Sequence, residues 1–430
     1  MTTMSHCTRR TLIRQGLLAA GGMSAGLAFG TGLSTRILKA RAETTSPYDA
    51  IATTQAITSA LLAANLDFSF RLQNTLLKNG LAENLFFSPL SISTALDMLY
   101  NGAASTTGQA MAAALGLKTL RPADVNTAAL GLLNELRRRD PKITLSIADS
   151  IWLRNGVVAM PNFVTALQTY YGAVLRNLDF SNPQAPATIN AWINQQTYGL
   201  IPSIVKTIDP STVMYLINAL YLKAPWSSPF SATETRPDTF TTDAGKAIIV
   251  SMMSQEGTFS YAKTDTLEVI RLPYGAQKMS MYIVLPAKTS SLKALLSGLN
   301  AARWNALLQN LKPQHGSIQL PKFTVTYEAD LKPVLTALGM GQAFDPLRAT
   351  FAGIVQHPHV FVSEAKQKAI IKVDENGTVA AAVTSIGVSP TVAMENLFTM
   401  VVNRPFFCAI RDDVTGTLLF MGSIVNPSLG

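Results

Sequence analysis

The reading of this chain turns on residues 373–403, VDENGTVAAAVTSIGVSPTVAMENLFTMVVN. Glu375-Asn376-Gly377 is a turn-like break, and Thr378 to Ser385 contains only small or β-branched residues. No residue from Thr378 to Met394 is charged. Small side chains let a strand enter the middle of a sheet without overpacking the layers on either side. Gly377 offers a backbone that changes conformation cheaply and so suits a hinge. Further on, Gly387, Ser389 and Pro390 oppose continued pairing, because proline has no N–H for a ladder. One half reads as a buried strand and the other as an exposed loop; an ordinary strand and hairpin near the C-terminus would carry the same residues.

Working outward, 48% of the 430 residues are hydrophobic, enough for one large domain or two smaller ones. The formal charge of +9 is misleading. Six of the 35 basic residues (Arg9, Arg10, Arg14, Arg36, Lys39, Arg41) lie in residues 1–42, which hold no acid. The remainder has 29 basic against 26 acidic residues and no basic stripe, so no nucleic-acid footprint is expected. Arg9-Arg10 precedes an apolar stretch, Gly16 to Leu33, and Ala40-Arg41-Ala42 gives a small-x-small cleavage pattern before Glu43. This resembles a bacterial twin-arginine export signal over residues 1–42. The 18-residue apolar run contains six glycines, which disfavours a stable membrane span. A periplasmic or extracellular location is the expectation. Cys7 lies inside the signal, which leaves Cys408 alone, a small buried hydrophobe without a disulfide partner.

No catalytic constellation emerges. Gly22-Met23-Ser24-Ala25-Gly26 matches a hydrolase nucleophile pattern, but it lies in the export signal with no strand before it. His357-Pro358-His359 lacks the carboxylate-histidine or cysteine pair that would complete a metal site, and with His315 reads as surface-loop histidine. No enzyme activity, metal or cofactor is expected. Along the chain, residues 43–64 read as a loose Thr/Ala-rich leader, Leu62 to Lys78 as an amphipathic helix, and Ser93–Asn101 as a helix. Ala103 to Leu117, Pro161–Leu175, Ser291–Leu307 and Tyr327–Leu338 also read as helices. Strands are expected at Ile143–Trp152, Leu216–Leu222, Ala247–Met253, Leu267–Leu272, Met279–Leu285, Ile318–Phe323 and Phe361–Val373.

Several of these segments are similar to one family. Glu375-Asn376-Gly377-Thr378-Val379-Ala380-Ala381-Ala382-Val383-Thr384 resembles the hinge of the serpin reactive-centre loop, and Val402-Asn403-Arg404-Pro405-Phe406-Phe407-Cys408-Ala409-Ile410 resembles the signature that follows it. Asn84 to Ile92 resembles the segment that feeds a buried helix, and Ile189 to Ile201 the helix that crosses the sheet face. Lys223 to Phe230 is close to Lys-x-x-Trp-x-x-Pro-Phe. The resemblance covers nearly all of residues 43–430. It implies an α+β serpin fold: a single domain with about three β-sheets, eight to nine helices and an exposed loop at about 375–400.

The resemblance also implies a function. The partner would be a serine or cysteine protease, held in a covalent acyl complex by a monomeric inhibitor. The cut loop would insert as an added strand, a mode of strand addition long recognised in serpins. About ten to fifteen new backbone bonds at ~1 kcal/mol each supply on the order of ten kcal/mol. The hinge residues are then Glu375, Gly377, Thr378, Ala380, Ala381, Ala382 and Thr384. Thr378, Ala380, Ala382 and Thr384 share the face beneath the sheet, where a charge would be penalised by several kcal/mol. Val379 points outward. The sheet-opening region is Ser88, Ser91, Asn218, Trp226 and Gln367. Gln367 stands where the family usually has a histidine; it can still bond Asn218 and Ser88 but cannot titrate. Ser88 would also cap a helix whose first turn holds Pro89. The reactive bond is expected at Thr391-Val392 by counting from the hinge, or at Met394-Glu395 by counting back from Asn403. The non-inhibitory alternative, a serpin-fold binding or chaperone protein, tends to carry bulky or charged hinge residues.

N-terminal sequencing of exported material should begin at Glu43, and Arg9→Lys with Arg10→Lys should hold the protein in the cytoplasm. Retention of Met1 would contradict cleavage.

Overall fold

The computed structural model describes residues 47–79, 83–356, 360–378 and 397–429. The order begins with α1 (Pro47–Leu76), β1 (Leu85–Phe87), α2 (Pro89–Tyr100), α3 (Ser105–Leu115), α4 (Pro122–Arg137), β2 (Thr144–Arg154) and α5 (Pro161–Ala166). It continues with β3 (Val174–Leu178), α6 (Ala185–Gln196), β4 (Met214–Pro225), β5 (Arg236–Thr241), β6 (Ala247–Lys263), β7 (Leu267–Tyr274) and β8 (Met279–Pro286). Then come α7 (Leu292–Ser297), α8 (Ala301–Gln309), β9 (Lys312–Pro321), β10 (Phe323–Asp330), α9 (Leu331–Leu335) and β11 (Glu364–Asp374). The last elements are β12 (Gly377–Thr378), β13 (Phe398–Val401), β14 (Phe406–Asp412) and β15 (Leu418–Ile424).

Among the described residues the strands form two sheets, not three. One has nine strands and the other six, in the order β10-β11-β12-β4-β2-β3. The separate third sheet merges because β6 runs unbroken for 17 residues. One end of it pairs with β5, its middle with β9 and its far end with β7. Among the described residues nine α-helices accompany the sheets in this α+β fold.

The six-stranded sheet is covered on both faces, which explains why β4 is buried along nearly all of its length. On one face Ile189, Trp192 and Ile193 of α6 pack against Ala148, Trp152, Tyr215, Ile217 and Ala219. The opposite face, carrying Ile151, Leu153, Leu216 and Ala365, packs on α2 through Ile92, Leu96 and Leu99. Ser88 caps α2: its hydroxyl accepts from the Ser91 N–H at 3.1 Å, and Pro89 occupies the first helical position.

Several boundaries differ from the sequence reading. The segment read as a leader is already helical from Pro47, because its alanines favour a helix and Pro47 fits a first turn. Tyr327 to Asp330 is strand rather than helix: the alternation begun at Phe323 continues, with Val325 and Ala329 turned inward, and pairs with β11 over eight residues. The helix starts only at Leu331, where the Asp330 side chain accepts from the Lys332 N–H at 3.0 Å. The helix from Pro161 ends at Tyr171 with Gly172 left-handed, and Leu175 belongs to β3. Ser291–Leu307 is two helices, because Asn300 caps a new one. Helix α4 escaped the sequence reading.

Candidate functional site

The site is the line along which β4 and β11 meet. Each is paired on its outer side, β4 with β2 over Met214–Lys223 and β11 with β10 over Lys366–Val373. At one end they pair with each other in parallel, Glu364–Ala369 against Tyr215–Leu220. At the other end they diverge, and β12 enters between them. Gly377 and Thr378 pair antiparallel with Pro225 and Ala224 on one side and with Asp374 and Val373 on the other. No ladder between described residues joins Tyr221–Lys223 to Ile370–Lys372. A strand entering here runs antiparallel to both neighbours, and antiparallel ladders are slightly more stable per residue than the parallel pairing they displace.

The turn that delivers β12 is clamped. Trp226 Nε1–H donates to Asp374 O at 2.9 Å, Trp226 N–H to Asn376 O at 2.9 Å, and Phe230 N–H to Glu375 O at 2.9 Å. The Trp226 ring stacks on Tyr274 at 4.4 Å. The Tyr274 hydroxyl meets the Thr378 hydroxyl at 2.6 Å, and Thr378 is buried. Glu375 is held by Lys322 Nζ at 2.8 Å and by the Thr235 hydroxyl at 2.8 Å. Burial works to raise its pKa, but Lys322, its own backbone N–H and Thr235 hold it below the usual glutamate value. The stabilisation from this ionised group is therefore present above the pH at which a free glutamate ionises and fades as the pH falls through its lowered native value.

Gly377 is needed here for a second reason besides mobility. Its φ is +144°, and a Cβ there would collide with Ala224 O and lie 2.7 Å from Pro225 Cα and 2.9 Å from Trp226 N. The β4 backbone leaves no room for a side chain.

Beneath the parallel zone a polar network ties three strands to α2. Gln367 Nε2 donates to Asn218 Oδ1 at 2.9 Å and to Ser88 O at 3.0 Å, while Ser88 N–H donates back to Gln367 Oε1 at 3.3 Å. Asn218 Nδ2 donates to Ser91 O at 2.7 Å, to Ser91 Oγ and to Asp149 Oδ1. All of these residues are buried. On the other face, Lys368 Nζ of β11 donates to Ser203 O at 2.8 Å, in the segment after α6.

A protein-family model described as serpin (serine protease inhibitor) matches residues 63–427. The chain belongs to the serpin family. A serpin-like protein of Thermococcus kodakarensis is 35% identical over 372 residues, spanning 84% of this chain and 85% of its own. The native structure of the thermophilic serpin tengpin superposes with a TM-score of 0.78 at 30% identity, covering 86% of this chain and 94% of that one. Human thyroxine-binding globulin complexed with thyroxine gives a TM-score of 0.80 at 25% identity, with coverage of 86% and 99%. The family is generally one of protease inhibitors rather than enzymes.

Of the serpin site residues named from sequence, the structure gathers Glu375, Gly377, Thr378 and Trp226 at the diverged end, and Ser88, Ser91, Asn218 and Gln367 beneath the paired end. Ala380, Ala381, Ala382, Thr384 and the reactive-bond residues Thr391, Val392, Met394 and Glu395 lie outside the described residues, as do His357 and His359. His315 is not in a surface loop: it is part of β9, its carbonyl accepts from Leu397 N–H at 2.9 Å, and its ring approaches Glu256 at 3.3 Å. Cys408 is buried in β14, and burial pushes its thiol up to about 12. Among the described residues no group of three His, Cys, Asp or Glu could hold a metal, and no helix is long and apolar enough to cross a membrane. Sequence reasoning missed Lys322, Thr235, Tyr274, Asp97 and Asp149. The Phe323 alternation could have placed Lys322 beside β11; nothing local marks the others.

Gly377→Ala should lower stability by roughly 1–3 kcal/mol through the clash with β4 and the positive φ. Urea unfolding monitored by circular dichroism measures it; an unchanged midpoint would mean that β12 is not seated between β4 and β11.

Proposed function

We propose that this serpin is an irreversible suicide-substrate inhibitor of serine or cysteine endopeptidases, exported by its 1–42 signal to the periplasm or beyond and acting as a monomer. The observation that carries this reading is β12, whose two residues already occupy the place an inserted loop would take, antiparallel to both β4 and β11. In the proposed reaction the protease nucleophile attacks the carbonyl carbon of Thr391. The Thr391–Val392 C–N bond breaks, and the Val392 amine leaves with a proton. The loop, now free at one end, extends β12 between β4 and β11 and carries the acyl-linked protease away before water can release it. Small hinge residues allow that extension, because each must pack beneath a closed sheet.

Thr391 after Pro390 suits a shallow elastase-like or subtilisin-like pocket. It offers no cation to a trypsin-like pocket, which needs one to meet its buried carboxylate. Met394–Glu395 remains the second position for the reactive bond. A second reading, a non-inhibitory binding protein, draws on the likeness to thyroxine-binding globulin; the small, uncharged run from Thr378 to Ser385 favours inhibition.

Incubation with elastase and with subtilisin should give a band of summed mass on a denaturing gel. Mass spectrometry should find a released C-terminal fragment beginning at Val392. A fragment beginning at Glu395 would move the reactive bond, and complete cleavage without any stable complex would favour the binding-protein reading.

A further inference from the structure

Gln367, where the family usually has a histidine, removes a titratable group from the sheet-opening region. The structure places two nearby. Asp97 of α2 and Asp149 of β2 are 2% and 4% exposed, and neither forms an ion pair within 4 Å among the described residues. Asp149 lies opposite Asn218 in the β2–β4 ladder, on the face turned to α2, and Asn218 lies opposite Gln367 in the β4–β11 ladder. One asparagine therefore links Asp149 to the seam. Its Nδ2 donates to Asp149 Oδ1, and its Oδ1 accepts from Gln367 at 2.9 Å.

The groups facing Asp149 come from four elements. Asp97 belongs to α2, Asn218 to β4, Arg137 to α4, and Tyr171 to the end of the helix that continues from α5; Ser91 of α2 meets Asn218, and Tyr100 of α2 faces Asp97. The Tyr171 hydroxyl is engaged with Asn126 Oδ1 at 2.6 Å. Asp97 Oδ1 has no hydrogen-bond partner. Two neighbouring buried carboxyls cannot both ionise, so the surroundings must choose between them. Asp149 has an N–H donor and the field of Arg137; Asp97 has neither. Burial pushes Asp149 up to about 7 against the Asn218 bond and Arg137, while burial and then the charge of Asp149 push Asp97 well above the carboxylate range. Asp97 is the member that stays neutral, and Asp149 the one that titrates.

Parting β4 from β11 breaks the Asn218–Gln367 bond and admits water one strand from Asp149. A rehydrated carboxyl returns toward its ordinary pKa, so opening releases a proton. We propose that Asp149 is a positioning residue that makes the parting of β4 from β11 proton-linked, the seam being tightest when Asp149 carries its proton and looser once that proton is lost. A carboxyl whose closed-state pKa exceeds its open-state value favours the closed seam at low pH. That preference fades as the pH rises from the carboxylate range to about 7 and is absent above it. The inference rests on the inhibitory reading only in taking this parting as the functional motion.

Hydrogen exchange of the intact protein reads the opening without any protease, so its outcome is independent of whether a covalent complex forms. Protection in peptides covering residues 215–220 and 364–369, corrected for intrinsic exchange, should fall by up to about tenfold per pH unit between pH 5 and 7 and level off above. Asp149→Asn keeps an acceptor for Asn218 and should flatten the profile, whereas Asp97→Asn should retain the slope. A flat wild-type profile overturns the proposal even if Asp149→Asn fails to fold. An unchanged slope in Asp149→Asn, or a slope abolished by Asp97→Asn alone, overturns the assignment to Asp149.

Discussion

Two parallel strands that are neighbours without being fully paired set the terms for the rest of this molecule. β4 and β11 share a ladder over Glu364–Ala369 and Tyr215–Leu220 and then diverge. Backbone N–H and C=O groups inside a sheet need partners, and the chain meets part of that need with two residues of its own, Gly377 and Thr378. A longer antiparallel strand in the same place would satisfy more of it. The native arrangement is thus one of two pairings open to this sheet, and the proposed inhibitory cycle is the passage from one to the other.

Interactions on three sides hold the first pairing. At the diverged end, Trp226, Phe230, Lys322 and Thr235 fix the turn that precedes β12. Beneath the sheet, Gln367 and Asn218 bridge the seam and bind it to the start of α2. Above it, Lys368 reaches from β11 to the segment after α6. Each bond is worth only about 1 kcal/mol net, yet those at the seam must break together before a strand can enter. A buried polar network is strong while complete and weak once one member is lost. That property lets a single line of contacts act as a gate, and a buried acid next to it makes the gate sensitive to protons.

The break at Glu375-Asn376-Gly377 is legible in the sequence and precedes the short strand Gly377–Thr378 in the structure; of the eight small or β-branched residues that follow it, only Thr378 lies among the described residues. The partners of Gln367 followed from the resemblance and agree with the observed bonds. What stayed hidden depends on register. Asp149 meets Asn218 across 69 residues of sequence, and no local pattern separates it from an ordinary strand-edge acid. Lys322 reaches Glu375 because it directly precedes Phe323, which pairs with Val373 where β10 runs along β11; the sequence reading puts Lys322 in a single strand, Ile318–Phe323, that the structure divides between β9 and β10. Gly377 was read as a hinge for its freedom, whereas the structure shows it equally as a place where another backbone leaves no space for a Cβ.

Thermal unfolding of the intact chain, compared with the chain cut once between residues 385 and 394, tests the central claim most directly. If the freed segment can extend β12 between β4 and β11, the cut form should melt roughly 10–20 °C or more above the intact form, as a gain on the order of ten kcal/mol implies. A cut form that melts at the same temperature or lower would contradict the account.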